Sequence, residues 1–224
     1  MTPRKPSEYA TVEWYGHRWE FSRVAERIKN ASVLELGCGE GYFARCLPAS
    51  TKYWGVDFNE SAINVASAVV GRETIRFSPN LPDLPGAVDW LCMFHVVEHI
   101  PSLASELASL LQRYQPKNVA VSVPNEQRLT VSCGCRETWD FPPHHLYRFS
   151  KTGVVKLFGN LGYRLVFFGN EPLRKCEVRD ALGLGLGWSK SLVDLAEKCV
   201  GVLPEIIRPR LGQASLFIFE AQRP

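Results

Sequence analysis

Glu35 stands two residues before the first of three alternating glycines in "VLELGCGEGYF", and Asp57 closes the next apolar run, "YWGVDF". A glycine bend lets the backbone approach a bound molecule closely, because glycine lacks a Cβ and takes positive φ at little steric cost. A dinucleotide turn wants G-x-G-x-x-G. Here the glycines are Gly37, Gly39 and Gly41, and Tyr42 occupies the place of the third. A fixed carboxylate at Glu35 would repel a diphosphate held a few ångströms away. Phosphate binding by a helix N-terminus is therefore the poorer reading, and a cationic ligand without phosphate the better one. Asp57 lies about twenty residues beyond the turn, where a carboxylate can accept both hydroxyls of a ribose. Phe58 beside it can lie against a base.

Histidines supply the second set of candidates: His95 and His99 in "FHVVEHI", and His144 and His145 after Pro142-Pro143. An imidazole near neutral pKa can take a proton from a hydroxyl or amine nucleophile. His144 and His145 are the candidates for that base, one turned inward and the other pinning its loop. His95 contacts a ligand if the strand before it has ended. His99 is expected to bond backbone at the start of the following helix. Cys133-Gly-Cys135 with the histidine pair could offer four zinc ligands. However, C-x-C-x8-H-H is not a common zinc spacing, and adjacent histidines reach one ion poorly. No Asp/Glu cluster with oxygen-ligand spacing falls on these loops, so no metal is expected.

Such residues need strand ends to hold them, and the sequence supplies strands in rhythm. Residues 7–30 read as a helix rich in aromatics. Strands follow at 32–36, 52–56, 74–77, 88–94 and 117–123, the last halted by Pro124. Between them, 41–47 starts a helix. Residues 59–71 form another, capped by Asn59, with Ala62, Val65, Ala66 and Val69 as its apolar stripe. Residues 102–114 form a third, amphipathic one. After a loop at 124–149, a helix at 150–162 carries Ser150 as cap and Val154, Leu157, Phe158 and Leu161 inward. Strands at 163–169 and 213–221 close the order and can pair antiparallel. The alternation predicts an α/β, doubly wound, Rossmann-like fold: a seven-stranded, mostly parallel sheet with an antiparallel C-terminal strand pair.

"VLELGCGEGYF…YWGVDFNESAINVA…VDWLCMFHVVEHI" resembles the class I S-adenosylmethionine-dependent methyltransferases, in order across 32–169. "VVEHI" with "PPHHLYRFSKTGVVKLFGNLGYRL" is similar to a broad small-molecule group, which includes ubiquinone-biosynthesis-type O-methyltransferases and enzymes of glycan or natural-product pathways. The resemblance implies S-adenosyl-L-methionine as cofactor and S-adenosyl-L-homocysteine as product; the ammonium and sulfonium of the former suit an acid nearby. It places Glu35, Gly37, Cys38, Gly39 and Gly41 around the methionine part, Asp57 on the ribose and Phe58 on the adenine. Phe94 and His95, at the end of strand four, would face the cofactor. The family often has an acid after strand three for the adenine amino group. Asn80 stands there instead, with a carbonyl that can accept the same bond. Asp83 is the alternative in another register, and Leu81 offers a backbone amide.

The implied reaction is methyl transfer to O, N or C of a small-molecule acceptor, such as a sugar or an isoprenoid-quinone intermediate. Two alternatives stand beside it: a non-catalytic cofactor-binding partner module, and a protein or RNA methyltransferase. A net charge of +3 without a basic block, and "FHVVEH" where a planar-base enzyme often carries N-P-P-Y, speak against nucleic acid. The 224 residues suit one domain: a helical cap at 1–30, a cofactor-binding core at 31–123, an active-site loop at 124–149 and an insertion at 170–212. That insertion is a lid, a structural cover, a dimer contact or a patch on a membrane surface. Monomer and homodimer both fit. The absence of a signal-like or membrane-length apolar run, together with Cys38, Cys46, Cys92, Cys176 and Cys199, which read as reduced core fillers among the seven cysteines, gives a cytoplasmic expectation.

Overall fold

The computed structural model describes residues 18–84, 86–132, 134, 140–174, 196 and 208–222. Its strands are β1 (Ser32–Leu36), β2 (Lys52–Val56), β3 (Ile75–Ser78), β4 (Trp90–Phe94), β5 (Asn118–Pro124), β6 (Tyr163–Asn170) and β7 (Ala214–Ala221). They form one sheet in the order β3-β2-β1-β4-β5-β7-β6. The doubly wound sheet with its antiparallel C-terminal pair is therefore observed. The chain divides within β4 into two compact units, one up to Cys92 and one from Met93.

In the first unit β2 runs parallel to β1 and β3, with Glu35 opposite Gly55. Among its described residues are the helices α1 (Trp19–Ala25), α2 (Tyr42–Cys46) and α3 (Glu60–Val69). Val33, Leu34, Phe43, Tyr53, Ala66 and Leu91 are wholly buried. Burying each of the larger apolar side chains stabilises the fold by about 1.5–3 kcal/mol.

Two expectations need correction here. The helix expected through residue 30 ends at Ala25, where Arg27 and Ile28 turn their amides back to Val24 and Ala25 in tighter three-residue bonds and Ile28 enters the core. In α3 the expected stripe is shifted. Ile63 and Ala66 are buried, with Val70 just beyond, whereas Val65 and Val69 are exposed. The larger Ile63 side chain sets the rotation of the helix, and Asn59 caps it as expected by accepting from the Ser61 and Ala62 amides.

In the second unit β7 lies antiparallel between β5 and β6, and Pro124 pairs with Ala214 as the last residue of β5. α4 (Leu103–Tyr114) buries Leu103, Leu107, Leu110, Leu111 and Tyr114 on one face. α5 (Leu129–Ser132) is a short turn of helix inside the expected loop. α6 (Lys151–Asn160) is capped by Ser150 and buries Val154 and Phe158, the latter stacked on Phe219 at 4.5 Å. α7 (Arg208–Leu211) precedes β7.

Of the insertion at 170–212, Leu173 is buried and Arg174 pairs with Glu171 at 3.1 Å. Its remaining apolar positions, Leu182 to Ile207, lie outside the described residues, as do Cys133, Cys135 and 1–17. No helix among the described residues is long and apolar enough to cross a membrane.

Candidate functional site

The glycine turn is built from the end of β1 downward. Gly37, Gly39 and Gly41 all have positive φ (71°, 51° and 74°), so their placement in the sequence follows from the bend. A Cβ at Gly41 would lie 2.8 Å from the Phe77 ring, whereas one at Gly39 would meet nothing within 4 Å. Space is therefore open beside Gly39 and filled beside Gly41.

Four amides of the turn have partners. Gly37 and Cys38 both donate to the Val56 carbonyl (2.7 and 3.1 Å), and Gly41 donates to Cys38 O (3.0 Å). Gly39 donates to Asp57 Oδ2 at 2.9 Å. A phosphate cradle needs several free backbone N–H groups converging on one anion; here Gly37, Cys38, Gly39 and Gly41 engage theirs in the frame of the turn. Asp57 Oδ1 accepts from the Asn59 amide at 2.9 Å. Each carboxylate oxygen thus holds one backbone donor and keeps acceptor capacity for another.

Glu35 is 2% exposed and accepts a hydrogen bond from the Tyr53 hydroxyl. Burial pushes its carboxyl up to about 8, against the opposing pull of Tyr53 and Arg18, with Asp57 adding to the rise. Burial thus favours the protonated form of the carboxyl whose charge the sequence reading invoked. The Cys38 side chain is buried at the strand junction beside Gly55, and burial, then Glu35 and Asp57, push its thiol far up, so it is inert. Its part in the turn is its backbone. Phe58 is 93% exposed, Asn80 is exposed with its backbone amide on Ser78 Oγ at 3.0 Å, and Leu81 is exposed.

In the second unit β4 ends at the buried Phe94. His95 follows with φ 55°, its amide on Ser122 O and its Nδ1 3.3 Å from Glu98 Oε1. A non-glycine residue in the left-handed region is uncommon and tends to mark functional positions. His99 does not bond the start of α4; its Nδ1–H donates to His144 O at 2.6 Å. The reason is that Leu146 and Tyr147 donate to Glu98 O, which draws the loop at 144–147 over the Val97–His99 turn.

The two loop histidines differ in placement. His145 is turned inward, its side chain 12% exposed, with Nδ1 3.6 Å from Asp140 Oδ1 and its ring 4.8 Å from that of His99. His144 is exposed. Burial, then the neighbouring His99 and His95, depress the His145 pKa despite Glu98 and Asp140, so its imidazole is neutral at pH 7. Burial alone would raise Glu98, but His95 beside it, its own backbone amide and His99 outweigh this and hold the carboxyl below the usual range.

Sequence reasoning passed over three residues that frame this cluster. Arg128 holds the buried Asp140, and its other arm donates to Asn125 O at 3.1 Å. Asn125 in turn donates to Arg210 O and Gly212 O (2.9 and 2.8 Å), which ties the loop to the start of β7. Asn125 also lines a cleft of about 230 Å3 with Phe149, Lys151, Phe168, Arg210 and Phe217.

The family profile for a methyltransferase domain matches residues 18–166. The chain belongs to that methyltransferase-domain family. It is 31% identical over 173 residues to a Mycolicibacterium smegmatis protein named "probable S-adenosylmethionine-dependent methyltransferase", covering 75% of this chain and 60% of that protein. A protein of the same name from Mycobacterium tuberculosis is 30% identical over 66% of this chain and 54% of its own length. The chain thus spans little more than half the length of these relatives.

Methyltransferases also share its fold. Magnesium protoporphyrin IX methyltransferase from Synechocystis, with bound SAH, superposes with TM-score 0.61 at 15% identity, covering 95% of this chain and 88% of that one. A Haloferax volcanii putative methyltransferase, in complex with the Trm112 activator, gives 0.65 at 15% identity, covering 92% and 90%.

Proposed function

We propose that this methyltransferase domain binds S-adenosyl-L-methionine at the glycine turn and transfers its methyl group to a nucleophilic atom of a small-molecule acceptor, releasing S-adenosyl-L-homocysteine. The observation that carries this reading is where the amides of the turn point. With Gly37, Cys38, Gly39 and Gly41 donating within the frame, the turn fits an adenosine ligand that brings no phosphate. When bound, the cofactor supplies an electrophilic methyl group and its own leaving group.

The chain supplies position. Asp57 receives the ribose hydroxyls on the capacity its two backbone donors leave. Phe58 offers an exposed ring to the adenine, and Asn80 and Leu81 its edge. Glu35 and the backbone of Gly37 to Gly41 border the methionine part. A positive charge arriving near Glu35 favours its ionised form, so the proton held there leaves as the cofactor enters.

Orientation of the acceptor and handling of its proton are assigned to the second unit. There His145 is the inward, neutral imidazole, while His144 contributes its carbonyl to His99. A cleft walled by Phe149, Phe168 and Phe217 with Lys151 and Arg210 suits an acceptor with a flat or apolar body and polar substituents. The test is incubation of the purified chain with methyl-labelled cofactor and fractionated small-molecule extract. Label in an acceptor with stoichiometric S-adenosyl-L-homocysteine supports the reading; cofactor binding with no labelled product from any fraction favours a non-catalytic module.

A further inference from the structure

Glu35 lies opposite Gly55, a residue without a side chain, in the register of β1 on β2. Tyr53 stands two positions earlier on β2, so its side chain leaves the same face of the sheet as Gly55 would. Its hydroxyl crosses to β1 and donates to Glu35 Oε2. The tyrosine is wholly buried, and the Phe77 ring meets it edge-on at 5.6 Å, which fixes the phenol in place. Among the described residues no side chain bonds Glu35 Oε1, so that oxygen is left for a ligand.

Several groups act on this acid, and the geometry ranks them. Burial raises the carboxyl; Tyr53, then Arg18, pull it back, and Asp57 adds to the rise. The Arg18 guanidinium is already paired with Glu20, whereas Tyr53 makes a direct bond. A donor held against a carboxylate favours its charged form. The Cys38, Cys46 and Cys92 thiols near the acid, and the Tyr53 phenol itself, are pushed up by burial and then by Glu35, so all four stay neutral.

We propose that Tyr53 is a positioning residue for the cofactor: its hydroxyl holds Glu35 in one orientation and favours the carboxylate that receives the cationic methionine part, with no part in holding the adenosine. When the cation arrives, the Glu35 proton leaves to solvent and the phenol keeps its own. The positioning role rests on the S-adenosyl-L-methionine reading; the coupling of Tyr53 to the proton on Glu35 does not.

Tyr53→Phe keeps the ring and removes only the hydroxyl. Calorimetry on the full chain at pH 7 compares S-adenosyl-L-methionine with 5′-methylthioadenosine, which keeps adenine and ribose and carries no charge. The variant should bind the first about tenfold more weakly, in the range of a lost hydrogen bond to a charged group, and the second within about threefold of the wild type. An infrared titration needs no ligand. The protonated-carboxyl band that Glu35→Gln lacks should fade around pH 8 in the wild type and at higher pH in Tyr53→Phe. Replacing tyrosine throughout by 3-fluorotyrosine, a more acidic phenol of nearly the same shape, should move that midpoint down, a readout that survives if Tyr53→Phe does not fold. A tyrosine that serves packing alone would weaken both ligands alike or leave the midpoint unmoved, and either result overturns the proposal. A wild type that binds neither ligand overturns the functional reading and the positioning role with it, while a shifted midpoint would still uphold the coupling. Binding of both ligands with equal losses in Tyr53→Phe overturns the positioning role and leaves the functional reading standing.

Discussion

Asp57 Oδ2 accepts the Gly39 amide at 2.9 Å, so the acid that follows β2 also frames the glycine turn that follows β1. One carboxylate therefore holds the bend and offers the ribose its acceptors. Asp57→Ala removes both functions. We expect S-adenosyl-L-methionine affinity to fall more than tenfold, since hydrogen bonds to a charged group contribute about 1.5–3 kcal/mol each. Asp57→Asn, which keeps one acceptor oxygen, should lie between. Calorimetric titration of both variants checks the order.

The glycines separate by what surrounds them. Gly39→Ala meets open space and suffers only the left-handed backbone penalty, about 1 kcal/mol. Gly41→Ala adds a collision with the Phe77 ring at 2.8 Å and should cost about 2–4 kcal/mol in all. Urea denaturation of the two variants gives the comparison. The larger Gly39→Val should still fold while it obstructs the open space and weakens cofactor binding.

Glu35 makes stability depend on pH with a definite sign. Burial raises its folded pKa to about 8, above the unfolded value of about 4.3, so the folded state holds the proton more tightly. The stability this gives is full below the unfolded pKa and is lost progressively as pH rises toward and through 8. The unfolding free energy of the wild type should fall between pH 6 and pH 8.5, and the fall should shrink in Glu35→Gln. At pH 7, cofactor binding should release a fraction of a proton, read from binding enthalpies in two buffers of different ionisation heat.

Arg128 and Asp140 pair with side chains 4% and 5% exposed. Arg128→Met strands a buried carboxylate and should cost about 3–5 kcal/mol. Arg128→Met with Asp140→Leu should recover most of that loss. Thermal unfolding of the single and double variants measures both.

What the sequence disclosed was whatever local chemistry decides. The near-continuous apolar run "VDWLCMF" reads as a strand buried on both faces of a sheet, and its apolar part, Trp90–Phe94, is β4. Asn59 and Ser150 cap their helices because their side-chain oxygens reach orphan amides two or three residues on. The alternating glycines mark a bend that demands positive φ. The α3 stripe was less legible, since two apolar sets that share Ala66, at 62/65/66/69 and 63/66/70, fit one helical period and only packing chooses between them. The histidine cluster was least legible of all. His99 meets His144, and Asp140 meets Arg128, across loops whose path no spacing encodes. Glu98 passes as a surface acid until its burial is seen, and the proton on Glu35 depends on desolvation, which composition does not report.

The glycine turn, with four of its amides engaged in its own frame, is expected to take an adenosine ligand without phosphate, and all else in the proposed reaction depends on that selectivity. Isothermal titration of the purified chain with S-adenosyl-L-methionine, NAD and ATP tests it most directly. The expected result is saturable binding of S-adenosyl-L-methionine, lost in Asp57→Ala, with no heat from the two phosphate ligands at matched concentration. Binding of NAD or ATP with no response to S-adenosyl-L-methionine would contradict it.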